Sequence, residues 1–319
     1  MTGKQHRTSG YFSTGLIIGL RELRRMLQDL LHPLAGGRLL RYEFENHPVI
    51  VWVPRKVHKT TPVLVMHDGH NLFDPKTSTF GVTWGLLEAL RGRKPGGARI
   101  RADKPLIIGV TYKDANGEYR AWELGPADIW DVHPELTRGM PGTLKTGPDG
   151  NYYHDLIAKV VLPTIAADLG IELHPSRTAT AGASMGALTS LYGMAKYPDV
   201  YGTALAYSTH WPIGGEKAGR KLIDEYMKIL PKPGTHRIWS DGGTLELDAM
   251  YWPLQEYFKK QMLKKGYREG VDYIEASYPN TGHSETWWRG RVEHPINWWL
   301  DPNEPKSTFE NPDWVGKTY

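Results

Sequence analysis

Gly182-Ala-Ser184-Met-Gly186 sets one hydroxyl at the centre of a G-x-S-x-G pentapeptide. That pattern suits a serine held on a sharp corner between a strand and a helix. Small and β-tolerant residues precede it from Thr178, and the run from Ala187 to Tyr197 has helical spacing that stops at Pro198. Such a corner forces unusual backbone angles on the serine, and flanking glycines let strand and helix pass closely. The plainer alternative is an ordinary strand-to-helix turn whose serine caps the helix. The strand-corner-helix context favours a nucleophile. A serine hydroxyl is weak at neutral pH, so it needs a base, and the base needs a carboxylate to orient it.

In the plan this elbow belongs to, the chain order is serine, acid, histidine. His283 stands in Gly-His-Ser-Glu just after an expected strand, which suits a loop presenting an imidazole. A solvated loop histidine is the alternative. His294 precedes Pro295 within a helical pattern and reads as structural. The acid is expected in the loop after the strand His236–Ser240, with Asp248 ranked first, Glu246 second and Asp241 third. Asp248 could instead cap the following helix, and Glu246 could simply be solvated. Acyl transfer creates an oxyanion that two backbone N–H groups should face. Met185 supplies one, and the turn Asp68-Gly-His70 after an early buried strand supplies the other.

These groups need a scaffold, and the apolar runs predict one. Leu39–Glu45 and Val49–Pro54 read as strands around a turn at Asn46-His-Pro48. Pro62–His67 and Pro105–Thr111 are continuous apolar runs, the mark of strands buried on both faces. Further strands are expected at Thr203–Ser208, His236–Ser240 and Tyr273–Tyr278. Helices are expected at Gly81–Arg91, Tyr153–Leu169 with a kink at Pro163, Ala218–Leu230, Tyr251–Lys265 and Trp287–Leu300. The alternation predicts an α/β fold with a mostly parallel central sheet covered by helices on both faces. Sites on such sheets lie beyond the carboxyl ends of the strands. Between Lys113 and Asn151 the pattern dissolves into Gly, Pro, Trp and Asp, as expected of a functional rim.

Composition narrows the chemistry further. The 319 residues are 40% hydrophobic and 23% charged, with a net charge of +4, which describes an ordinary globular chain. No basic run interleaved with aromatics is present, so nucleic acid is not indicated. The absence of cysteine excludes disulfides, thiolate metal sites and a cysteine nucleophile. No nucleotide-binding glycine motif and no compact His/Glu ligand pattern appears, so neither cofactor nor metal is expected; His67 and His70 share a turn but lack further ligands. Ile17, Leu20, Leu23, Leu27, Leu30 and Leu31 repeat at helical spacing, predicting an amphipathic helical extension over residues 1–34. Docking of this helix on the domain or on an oligomer partner is favoured over membrane-surface binding. Arginines interrupt its apolar run and no cleavage site follows, so a cytoplasmic chain is expected. One domain over 35–300 and an extended tail over 301–319 complete the expected organisation.

Several stretches together resemble the esterase family that includes enterochelin esterases, esterase D, feruloyl esterases and mycolyltransferases. They are Val65–Asp74, Trp84–Leu90, Leu162-Pro163, Gly182–Gly186, Tyr197-Pro-Asp199 and Gly282–Trp287 with Arg289, within a span of roughly Arg38 to Leu300. The resemblance implies an α/β-hydrolase fold, Ser184 as nucleophile, His283 as base, and Met185 and His70 as oxyanion donors. Leu247–Tyr251 resembles a recurring form of the acid loop, which supports Asp248. The elbow departs from the family's usual form, with Ala183 and Ala187 where many members carry glycine.

The expected reaction is hydrolysis of a small-molecule or glycan ester through an acyl-enzyme on Ser184, with Trp122 and Trp130 rimming the substrate pocket. The rival readings are an acyltransferase using the same site and a non-catalytic glycan-binding protein.

Overall fold

The computed structural model describes residues 34–92, 99–100, 103–113, 119–137 and 149–301. The N-terminal helix and the C-terminal tail expected from the sequence lie outside the described residues. Eight strands form one sheet in the order β1-β2-β4-β3-β5-β6-β7-β8. They are β1 (Gly37–Phe44), β2 (His47–Pro54), β3 (Val63–His67), β4 (Leu106–Val110), β5 (Thr178–Ala183), β6 (Thr203–Tyr207), β7 (Arg237–Gly243) and β8 (Tyr273–Tyr278). β1 and β2 are antiparallel to each other, and β2 is antiparallel to β4; every other pairing is parallel. This is a mostly parallel sheet covered by helices on both faces, the α/β-hydrolase fold that the sequence predicts.

Side-chain alternation sorts each strand into two cores. Val65, Ile108 and Ala206 face one side with Leu188 and Leu191 of the helix Met185–Lys196. Leu64, Met66 and Leu205 face the other with Ile296 and Trp298 of the helix Glu293–Leu300. With both faces covered, β3, β4, β5 and β6 are buried along their whole length. That is why their sequences read as continuous apolar or small-residue runs.

Local differences from the sequence expectations have identifiable causes. The first hairpin turns at Glu45-Asn46 (φ 48° and 65°) rather than at Asn46–Pro48. A tight two-residue turn with positive φ at both positions matches strand twist, and asparagine tolerates it. The kink expected at Pro163 is a π-helical turn, Ile157–Val161, between Gly150–Leu156 and Leu162–Leu169. Proline lacks an N–H and crowds the preceding turn, and a wider turn accommodates it. The last helix divides into Glu285–Trp288 and Glu293–Leu300. Among the described residues, no helix is long and apolar enough to cross a membrane.

Beneath the sheet's carboxyl edge, two histidines are buried as neutral rings. His67 shares hydrogen bonds with the Tyr153 hydroxyl (2.9 Å) and Thr180 Oγ1 (3.0 Å), and His154 with Thr189 Oγ1 (2.8 Å). Burial lowers His67 to about 3 and holds His154 well below its usual range. The unfolded chain binds protons at these rings near pH 6.5 and the folded chain does not, so stability falls as pH drops below that value. From pH 7 to pH 5, His67 alone should withdraw about 2 kcal/mol. Urea unfolding of the native chain and of His67→Gln at both pH values isolates this contribution. An identical pH dependence for the two proteins would contradict it.

Candidate active site

Ser184 follows β5 directly and carries φ 59° and ψ −119°, a conformation that L residues rarely adopt. The corner is tight: a Cβ on Gly182 would lie 2.6 Å from the Gly186 carbonyl oxygen. Glycine at 182 therefore lets β5 and the following helix touch. The Ser184 N–H donates to the Tyr207 carbonyl on β6 (3.0 Å), and its own carbonyl accepts from Ala187 (3.1 Å) and Leu188 (3.3 Å). As the first helical residue, Met185 has no intrahelical acceptor for its N–H. His70 lies inside the short 3-10 turn Gly69–Asn71 after β3, one residue before its first bonded N–H, Asn71 to the Asp68 carbonyl (2.9 Å).

The histidine and the acid arrive from the far strands. β7 extends to Gly243, so Asp241 belongs to the strand and not to a loop, and the next helix begins at Glu246. Asp248 thus sits in the first turn of the helix Glu246–Lys265, where a carboxylate is favourable. Its Oδ1 lies 2.6 Å from His283 Nδ1, with the imidazole side chain 10% exposed and the carboxylate fully buried. Its Oδ2 accepts from the Ser208 hydroxyl (2.7 Å) and the Gly243 N–H (2.7 Å). Burial works to raise the Asp248 carboxyl, but His283, Ser208 and Arg291 outweigh it and hold it below its ordinary value. Glu246 plays a different part, accepting the His283 backbone N–H at 3.3 Å.

A buried polar network backs this pair. Arg291 donates to Ser208 Oγ (2.8 Å) and to Asp241 Oδ1 (3.0 Å), and lies 3.8 Å from Asp248 Oδ2. Trp288 Nε1 also donates to Ser208 Oγ (3.0 Å), and Trp239 Nε1 to Asp241 Oδ2 (2.9 Å). Asp241 is raised, because burial outweighs the Arg291 guanidinium. The His283 ring stands edge-on between Trp288 (5.0 Å) and Tyr251 (5.3 Å), which fixes its plane. His294, expected to be structural, is buried with Nδ1 bonded to the Tyr278 hydroxyl (2.9 Å).

Other groups reach the site without having been legible in the sequence. His210 donates its backbone N–H to the Ser184 carbonyl (3.3 Å), and its Nδ1 bonds the Tyr251 hydroxyl. Tyr251 therefore links the elbow to the His283 ring. Burial, then the charges of His283 and Arg120, lowers His210 to about 4. Arg120 forms a fork with Asp68, Nε to Oδ1 at 2.6 Å and Nη2 to Oδ2 at 2.7 Å. Burial works to raise Asp68, but Arg120 holds it below the ordinary range. Asp68 Oδ2 lies 3.4 Å from where a Gly186 Cβ would stand, so the pair packs against the elbow helix. In the segment expected to rim the site, Trp122 is half-buried and Trp130 is 1% exposed, the two rings meeting edge to face at 5.9 Å. Among the described residues, no group of three His, Asp or Glu side chains is arranged to hold a metal ion.

The fold is shared, at low sequence identity, with solved structures that include esterases. The enterobactin esterase FES from Shigella flexneri, solved in the presence of enterobactin, is 16% identical with a TM-score of 0.56, over 83% of this chain and 59% of that one. This chain therefore spans about three-fifths of the FES chain. The enterobactin hydrolase IroE in complex with DFP is 15% identical with a TM-score of 0.55, over 83% of this chain and 96% of that one. The BES protein from Bacillus cereus is 14% identical with a TM-score of 0.56, over 91% and 99%. No curated protein matches the sequence. A family profile described as "Putative esterase" matches residues 45–294, and with most of its length inside that match the chain belongs to this esterase family.

Proposed function

We propose that this chain is a serine carboxylesterase acting through an acyl-enzyme on Ser184. The observation that carries the reading is the buried 2.6 Å contact between His283 Nδ1 and Asp248 Oδ1, on the same sheet edge as the strained Ser184. Asp248 accepts a hydrogen bond from Nδ1–H and so keeps that proton on Nδ1, which leaves the lone pair on Nε2 free to act as a base. Ser184 Oγ attacks the ester carbonyl carbon while Nε2 takes the hydroxyl proton. The backbone N–H groups of Met185 and His70 hold the resulting oxyanion. Collapse of the tetrahedral species breaks the bond to the alcohol oxygen, and the imidazolium returns the proton to the leaving alcohol. Water then repeats the sequence against the acyl-enzyme, His283 taking its proton and Ser184 regaining it as the acid departs.

The substrate proposed is a small-molecule or glycan ester. Trp122, half-buried with the buried Trp130 ring edge to face against it, is the aromatic group proposed for the rim. A fluorophosphonate probe tests the reading directly, because it reacts only with an activated serine. Covalent labelling at Ser184 is expected, with loss in Ser184→Ala and His283→Ala. Folded native protein that stays unlabelled would overturn the proposal.

A further inference from the structure

Glu285 is a buried carboxyl that the proposed reaction does not use. It lies two residues beyond His283, is 4% exposed, and accepts a side-chain hydrogen bond from Asn71 Nδ2 to Oε1 at 3.0 Å. Its other oxygen, Oε2, is buried with no hydrogen-bond partner among the described residues. An ionisable group kept inside at such cost invites a reason other than packing. Burial raises this carboxyl and the nearby Asp68 charge adds to it, while its own backbone N–H, Arg120 and His283 act in the opposite direction.

Asn71 is the hub on the opposite side. It closes the turn that carries His70, donating its N–H to the Asp68 carbonyl (2.9 Å). Its Oδ1 accepts from the Thr79 N–H (2.9 Å), and its carbonyl accepts from Trp84 (3.2 Å). Asn71 Nδ2 thus points across 214 residues of chain to the loop that carries His283. A second connection runs parallel to the first. Trp84 stacks on Trp288 at 5.5 Å, and Trp288 packs edge-on against the His283 ring at 5.0 Å. Polar and aromatic contacts together close a circuit through His283, Trp288, Trp84, Asn71 and Glu285.

We infer that Glu285 is a positioning residue: its bond to Asn71 ties the oxyanion turn to the histidine loop and so fixes the spacing of donor and base. The inference rests on the proposed roles of His70 and His283. Of the links in the circuit, only the Asn71–Glu285 bond is a directional polar contact joining the two catalytic loops. Misplacement of a catalytic group by about 1 Å can cost 10²-fold in rate while binding persists.

The test uses the full chain and p-nitrophenyl acetate. Asn71→Ala and Glu285→Ala are each expected to lower kcat by about 10- to 100-fold with KM little changed. The double variant should be no slower than the slower single one, because both remove the same link. Glu285→Gln keeps an acceptor oxygen and should stay within about threefold of native kcat. If Glu285→Ala does not fold, Glu285→Asp, which retracts the carboxylate by one methylene, carries the same comparison. Unchanged kcat, single effects that multiply in the double variant, or a change confined to KM would overturn the strut. Such a result in protein that still labels with fluorophosphonate leaves the esterase reading standing. Failure of native protein to label removes both.

Discussion

Replacing Ser184 with alanine is expected to lower kcat on p-nitrophenyl acetate by about 10⁶-fold, to the level of the residual binding and oxyanion effects. His283→Ala should cost a similar factor, and the double variant no more, because the proposed nucleophile and base would act as one unit. The fold should survive, since alanine tolerates the corner no worse than serine. Ser184→Gly separates chemistry from strain. It should be equally inactive, yet melt higher than Ser184→Ala, because glycine adopts φ 59°, ψ −119° without the penalty of about 1–3 kcal/mol that a residue with a Cβ carries there. Steady-state rates and thermal melts of the two variants check both halves. An active Ser184→Ala protein would move the nucleophile elsewhere, and equal melting temperatures would show that the corner stores little strain.

That corner was legible because the physics of the elbow is local. Gly182, Ser184 and Gly186 meet within one turn, so five residues of sequence contain the whole constraint. The sheet was legible for a related reason: strands covered on both faces, such as Val63–His67 and Leu106–Val110, cannot hide their apolar continuity. The acid loop was harder to read. The sequence leaves Asp248 open to a role as a helix cap, whereas the helix starts earlier, at Glu246, and the carboxylate serves the first turn and the imidazole together.

What could not be read is what long-range folding alone brings together. The Arg120–Asp68 fork spans 52 residues and the Arg291–Ser208 bond spans 83, and spacing says nothing about either. Trp130 shows the same limit for burial. In an irregular stretch a tryptophan reads as a candidate platform, but Gly125, lacking a Cβ that would lie 1.9 Å from the ring, lets it fold inward. Arg289 and Arg291 stand two residues apart after Trp287-Trp288, yet only Arg291 is buried with anionic partners, and nothing in that spacing tells the two apart.

The acid offers the second large effect, because Asp248 and Glu246 both touch His283 and their roles differ in kind. Asp248→Asn retains size and can keep the Ser208 and Gly243 bonds at one oxygen. Its amide then faces Nδ1 with N–H donors, which drives the ring proton to Nε2 and blocks the base. A fall in kcat of about 10⁴-fold is expected, with KM little changed. Glu246→Gln preserves an acceptor for the His283 backbone N–H and should change kcat by no more than about threefold. ¹⁵N chemical shifts of the His283 ring would report the tautomer in each variant independently of turnover. A large loss in Glu246→Gln with near-native Asp248→Asn would reverse the assignment. The 2.6 Å contact to a fully buried carboxylate argues for the order stated, since a backbone contact from Glu246 can place the loop but cannot choose the tautomer.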